Sequence, residues 1–211
     1  MHTLQECSNS QHSPLVIAVE LPLYFWLMPD RHLMIDIETL DTANTAAILS
    51  IAAVAFDPRG ASVRDEDCFR ITINRHSNEF YGRTVSASTL AWWAQQSDEA
   101  KAATFDGPSV DLMVAMLDFT QWVNRLRPTC TRVWAKDPDF DVAILRNACE
   151  MLNLMWPFKF WEGRSCRTAM ELAYSEGDFP PIIMDGPAHD ALADAKKQVI
   201  EIQHAYHVLR S

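Results

Sequence analysis

The chain has 211 residues, 48% of them hydrophobic, with a formal charge of −10. That length supports one sizeable core and nothing in the composition calls for a second, so one α/β domain is expected. The acidic balance argues against a broad basic surface gripping duplex nucleic acid by phosphate neutralisation, and five widely spaced cysteines without a CxxC (Cys7, Cys68, Cys130, Cys149, Cys166) argue against a disulfide framework or thiolate zinc site and for a reducing cytoplasm.

Residues 1–30 form an N-terminal extension. Its apolar run, Pro14 to Met28, is interrupted by Glu20 and Pro22, is short for a membrane span, and has no Lys or Arg before Arg31, so neither a span nor a secretory signal is expected. Two readings stay open: an accessory element packed on the domain, or sequence upstream of a true start at Met28 or Met34. The domain proper is expected over 31–211.

It opens with an apolar strand, Leu33 to Glu38, followed by Ala46 to Asp57, apolar on both faces as a central strand should be. A turn at Asp57 to Gly60 leads to a hairpin partner, Asp67 to Ile73. Polar loop is expected to about Ser88, then helices at "STLAWWAQQ" and "DEAKAATF". A longer helix capped by Ser109 follows, with Met113, Met116, Leu117, Thr120 and Val123 at helical spacing. Thr131 to Ala135 reads as a strand, Pro138 to Asn153 as a helix, Cys166 to Ala173 as another. The last helix spans about Asp190 to Leu209, with Ala191, Ala195, Val199, Ile202, Tyr206 and Leu209 on one stripe.

The acids stand out against this map. Asp36 and Glu38 lie two apart on the first strand and so point to one face, about 7 Å apart along the chain. Like charges so close on a half-buried face repel and lose solvation, so something must compensate them. Asp141 falls in the first turn of a helix after a strand, where the helix dipole favours a carboxylate in any case; Asp137 and Asp139 compete for that capping role. Asp194 sits among alanines on the last helix, a position that suits either close approach to another element or a solvated face. His189 lies five residues earlier, about 140° around a helix, and is therefore expected just ahead of it on a loop edge.

Taken in order, "DIET" on a first strand, "FD" opening a middle helix and "HDALADA" opening a last one resemble the DEDDh 3′-5′ exonucleases of the ribonuclease H-like superfamily. "ILSIAAVAFDP", "STLAWWAQQSDEA", "RVWA" and "WEGRSCRTAMELA" are similar to a compact bacterial and phage branch, exoribonuclease-like or exodeoxyribonuclease VIII-like, over about Leu33 to Val208. The chain departs from that branch at Lys136 and Asp137, where a Gly/Asn-rich turn is usual, and at Ser165, where Asp is common; both bear on substrate choice.

The resemblance implies a mixed five-stranded sheet flanked by helices and two divalent cations, Mg²⁺ or Mn²⁺. Asp36 would bridge both ions, Glu38 and Asp194 would complete one site, and Asp141 would serve the other. His189 would be the general base. The expected substrates are 3′ ends of single-stranded RNA or DNA, or 3′ overhangs. Thr39 and Leu40 would meet the terminal nucleotide, Trp92 and Trp93 are candidates to stack on bases or to fill the core, and Lys136, Arg164 and Arg167 are candidates for backbone phosphates, with Arg167 alternatively positioning a carboxylate. A homodimer is compatible with the apolar N-terminal run. Two rival readings are a non-catalytic module binding nucleic-acid ends and a proofreading-type subunit of a larger replication or repair complex.

Overall fold

Five strands form one sheet in the order β3-β2-β1-β4-β5. The computed structural model describes residues 30–60, 63–175, 178–179, 181–182 and 189–211. Both readings of the N-terminal extension, and the apolar run nominated for self-association, concern residues outside that set. β1 (Arg31–Thr39), β2 (Ile48–Phe56) and β3 (Cys68–Thr72) pair antiparallel, while β4 (Cys130–Ala135) and β5 (Gly163–Ser165) add in parallel on the other side of β1. Seven helices occur among the described residues: α1 (Arg75–Phe80), α2 (Ala87–Ala94), α3 (Asp98–Phe105), α4 (Leu112–Leu126), α5 (Asp141–Met151), α6 (Cys166–Ala173) and α7 (Ala191–Arg210). None is long and apolar enough to cross a membrane.

The alternation of β1 sorts its side chains between two layers. Leu33, Ile35 and Ile37 share a core with Leu112, Met116, Phe119 and Val123 of α4 and Ile144 and Leu145 of α5. Met34, on the opposite face, packs with Val54, Phe56, Trp134 and the α7 residues Ala195, Val199 and Ile202. Continuing that face by steps of two puts Asp36 and Glu38 under α7. Alanines at 191, 195 and 205 are buried and let α7 approach the sheet closely. With helices on both faces, all nine residues of β2 are buried, which is why it carries no polar alternation.

Several boundaries differ from expectation for identifiable reasons. α4 is capped by Asp111, whose carboxylate accepts from the Met113 N–H at 2.8 Å, rather than by Ser109. The chain there is held extended, Val110 N–H donating to Thr72 O at 3.0 Å and Asn74 N–H to Val110 O at 2.8 Å, so no helix can begin earlier. α5 starts at Asp141 and not Pro138, because residues 137–140 close a turn, Phe140 N–H donating to Asp137 O at 2.9 Å. The stretch expected to be loop contains α1, capped by Asn74. Its Asn78 is buried and acts as a strand substitute, the amide accepting from Ile48 N–H at 3.0 Å and donating to Ile48 O at 2.8 Å.

Arg83 fixes the loop that leaves β1. It is buried, and its guanidinium donates to Ala46 O at 2.9 Å, Asn44 O at 3.2 Å and Asn147 Oδ1 of α5 at 2.7 Å. Burial pushes it down to about 10, which leaves it charged at neutral pH.

Candidate active site

Because β4 runs parallel to β1, the helix that follows β4 starts beside the second half of β1. Asp141, first residue of α5, accepts there from the Ile37 N–H at 3.2 Å. Asp194 comes from the first turn of α7, over the face that carries Asp36 and Glu38. His189 immediately precedes Asp190, the α7 cap, whose carboxylate accepts from Leu192 and Ala193 N–H. All five expected groups line one cleft of about 770 Å³. That size falls in the usual range of small-ligand pockets, roughly 300–1,000 Å³.

The carboxylates there are poorly compensated. Burial, then the charges of Asp141 and Asp194, hold Asp36 well above the ordinary carboxylate range, against the opposing hydrogen bond from Gln198. Burial, then Asp36, Asp194 and Asp141, push Glu38 up to about 9. Burial also raises Asp141 to about 7 despite the Ile37 N–H. Among the described residues no Lys or Arg forms an ion pair with any of the four acids. Such a cluster demands protons or cations. Glu38, His189 and Asp194 each present a potential ligand atom, all within 4.8 Å of one another.

His189 is held in a left-handed backbone conformation, φ 62°, uncommon outside glycine but better tolerated by His than by most residues. The Thr104 hydroxyl donates to its carbonyl at 3.0 Å, and its ring packs edge-on against Trp92 with centroids 4.7 Å apart.

The other expected residues divide. Trp92 is 41% exposed and lines the cleft. Trp93 is 3% exposed, clusters with Leu40, Ala47 and Leu49, and donates its indole N–H to Thr39 O at 2.9 Å, so it braces the end of β1. Thr39 lines the cleft, but Leu40 is 0% exposed and does not, being committed to the core beside Trp93; its side chain has no face for a base. Lys136 and Arg167 line the cleft, Arg167 Nε meeting Asp137 Oδ2 at 2.8 Å. Arg164 does not: its guanidinium turns back onto the carbonyls of Trp161 and Gly163, at 2.8 and 2.7 Å. Ser165 caps α6, accepting from Thr168 N–H at 3.3 Å.

Sequence reasoning missed Gln198. Its Nε2 donates to Asp36 Oδ1 at 2.7 Å, and its Oε1 is buried with no partner among the described residues. The signal was available, because Gln198 stands four residues after Asp194 and so on the same helix face.

The family described as 3′-5′ exoribonuclease Rv2179c-like domain matches residues 31–205. An exodeoxyribonuclease of Enterobacteria phage T4 is 27% identical over 200 residues, covering 82% of this chain and 87% of its own. Among solved structures, the nuclease domain of 3′hExo, a DEDDh family member bound to rAMP, aligns with TM-score 0.56 at 14% identity, covering 84% of this chain and 92% of that one. S. pombe Pop2p in its Mg²⁺- and Mn²⁺-bound form aligns with TM-score 0.53 at 12% identity, covering 86% and 85%. At these identities the structural likenesses speak for the fold.

Proposed function

Because the chain belongs to the 3′-5′ exoribonuclease Rv2179c-like domain family, and is thus a 3′-5′ exonuclease on a ribonuclease H-like fold, we propose that it removes nucleotides from single-stranded 3′ ends with two divalent cations and a histidine base. The observation that carries this reading is the convergence of Asp36, Glu38, Asp141, Asp194 and His189 on one cleft, with buried carboxylates that form no ion pair with a Lys or Arg among the described residues.

The donor set fits Mg²⁺ or Mn²⁺, which take oxygen ligands, and Pop2p is a neighbour of the same fold with both ions bound. Asp36, Glu38 and Asp194 would hold one ion and Asp36 with Asp141 the other. Bound there, the ions supply positive charge against the negative charge that builds on phosphorus and on the attacking and leaving oxygens.

The remaining work falls to the protein. Thr39 and Trp92 flank the space for the terminal nucleotide, the indole offering a stacking face. Lys136 and Arg167, which line the same cleft, pair with the phosphate backbone. His189 takes the proton of the attacking water on an imidazole nitrogen. The water oxygen bonds to phosphorus, the 3′-oxygen of the preceding nucleotide leaves and takes a proton from solvent to become a hydroxyl, and a nucleoside 5′-monophosphate is released. Trp92 against the His189 ring limits its rotation and links terminal-base binding to placement of the base.

The family description points to RNA and the phage relative to DNA. Product analysis on single-stranded RNA and DNA of one sequence tests both reaction and sugar. Stepwise 5′-monophosphates from the 3′ end, in Mg²⁺ or Mn²⁺, are expected; 3′-monophosphates or internal cuts would refute the mechanism.

A further inference from the structure

A second cavity, of about 600 Å³, adjoins the cleft, and the two share Lys136 and Arg167 as a common wall. Beyond those cations it is lined by Met170, Glu171, Tyr174 and Phe179. Tyr174 and Phe179 lie with ring centroids 5.7 Å apart, tilted by 36°, and Phe179 is 43% exposed. Two cations followed by an open aromatic pair form the pattern by which single strands are held without sequence preference: charge for the backbone, ring faces for the bases.

The two ends of the combined groove differ in chemistry. At the Trp92 end the cleft carries the hydroxyls of Thr39, Thr42, Ser88 and Thr89, suited to a terminal sugar. On the wall shared with the second cavity stand Lys136 and Arg167, suited to phosphates, Arg167 exchanging its Asp137 partner for one. A strand whose 3′ nucleotide occupies the hydroxyl end must leave across the cations, and the second cavity is what it meets next. Glu171 on its wall disfavours phosphate inside, which leaves bases as the better occupants and the backbone on the Lys136–Arg167 side.

We infer that the cavity beyond Lys136 and Arg167 is a subsite for unpaired bases upstream of the scissile bond, so that the enzyme reads a single-stranded 3′ tail longer than a dinucleotide. The inference rests on the 3′-5′ exonuclease reading above. A duplex does not fit it, because paired bases cannot present a face to the Tyr174–Phe179 pair.

The test compares kcat/KM for oligoadenylates and oligodeoxyadenylates of two, four and six residues. Tyr174→Ala and Phe179→Ala are assayed beside Leu172→Ala, a control at a 71% exposed position of α6 that lines neither cavity. In the wild type, kcat/KM should rise with length. The hexamer-to-dimer ratio should fall roughly 5- to 100-fold in Tyr174→Ala, the loss of about one stacked base, and stay at the wild-type value in the control. An unchanged ratio in both aromatic variants overturns the inference. Anisotropy of 5′-fluorescein hexadeoxyadenylate, measured in Mg²⁺ on an Asp36→Ala background, decides the same point without turnover. Weaker binding after adding Tyr174→Ala supports the subsite; equal binding, or no binding in either protein, overturns it. Absence of turnover on every length with intact, Tyr174-dependent binding would instead count against the exonuclease reading alone.

Discussion

Replacing Glu38 by Gln should stabilise the cation-free protein while it destroys the site. Glu38 is pushed up to about 9 from an ordinary 4.5, so at pH 7 the folded chain keeps a proton that the unfolded chain releases. The neutral amide copies the protonated carboxyl in the fold without that penalty. Between pH 4.5 and pH 7 each pH unit weighs about 1.4 kcal/mol, giving about 3 kcal/mol in favour of the variant. For a domain of this size that is a rise in Tm of about 6–12 °C. The sign follows from linkage: a carboxyl whose folded pKa is raised contributes nothing adverse below its unfolded pKa, and costs stability progressively as pH rises from about 4.5 towards about 9. Thermal melts in EDTA at pH 4 and pH 7 therefore form the assay, and comparison with the parent at each pH cancels other groups, such as the buried His32, which burial lowers to about 4. The gain should appear at pH 7 and vanish at pH 4. In saturating Mg²⁺ the order should invert, because the charged carboxylate holds the ion more strongly than the neutral amide. A variant no more stable than the parent in EDTA at pH 7, or equally stabilised at both pH values, would refute the uncompensated-acid account.

Three further outcomes follow from single contacts. His189→Ala should lose general-base catalysis, roughly 10²–10⁴-fold in kcat, while single-turnover and anisotropy measurements find oligonucleotide binding retained. Gln198→Met removes the 2.7 Å bond that orients Asp36 and should weaken Mn²⁺ affinity, read by titration calorimetry, about 10- to 100-fold with little change in Tm. Arg83→Met strips charged hydrogen bonds from Asn44, Ala46 and Asn147, and chemical denaturation should register a loss of about 3–5 kcal/mol; a loss below about 1 kcal/mol would show that residues 44–46 are held by other means.

The parts of this fold that depend on local periodicity were legible in the sequence. Alternation along Leu33 to Glu38 gave the strand and the shared face of its acids, because a pleat sorts side chains whatever surrounds it. Helices with an apolar stripe were legible for the same reason. What escaped depends on contacts distant in the chain. Asn78 looks like a loop residue until Ile48 arrives to be bonded, which hid α1. Trp92 and Trp93 are about 100° apart on one helix, and only docking against β1 decides that Trp93 faces the core and Trp92 the cleft. Arg164 and Arg167 are three residues apart and equally basic, yet one folds back on its own loop and the other reaches Asp137. Leu40, just past the first strand, read as a contact for substrate because the resemblance placed it next to the acids; its burial beside Trp93 is a property of packing alone.

The most direct test of the central claim follows a 5′-labelled single-stranded 20-mer, as RNA and as DNA, with wild type and Asp36→Ala side by side in Mg²⁺, Mn²⁺ and EDTA. A ladder shortening from the 3′ end that needs both the cation and Asp36 is expected. Shortening that persists in EDTA, or that Asp36→Ala supports at the wild-type rate, would contradict it.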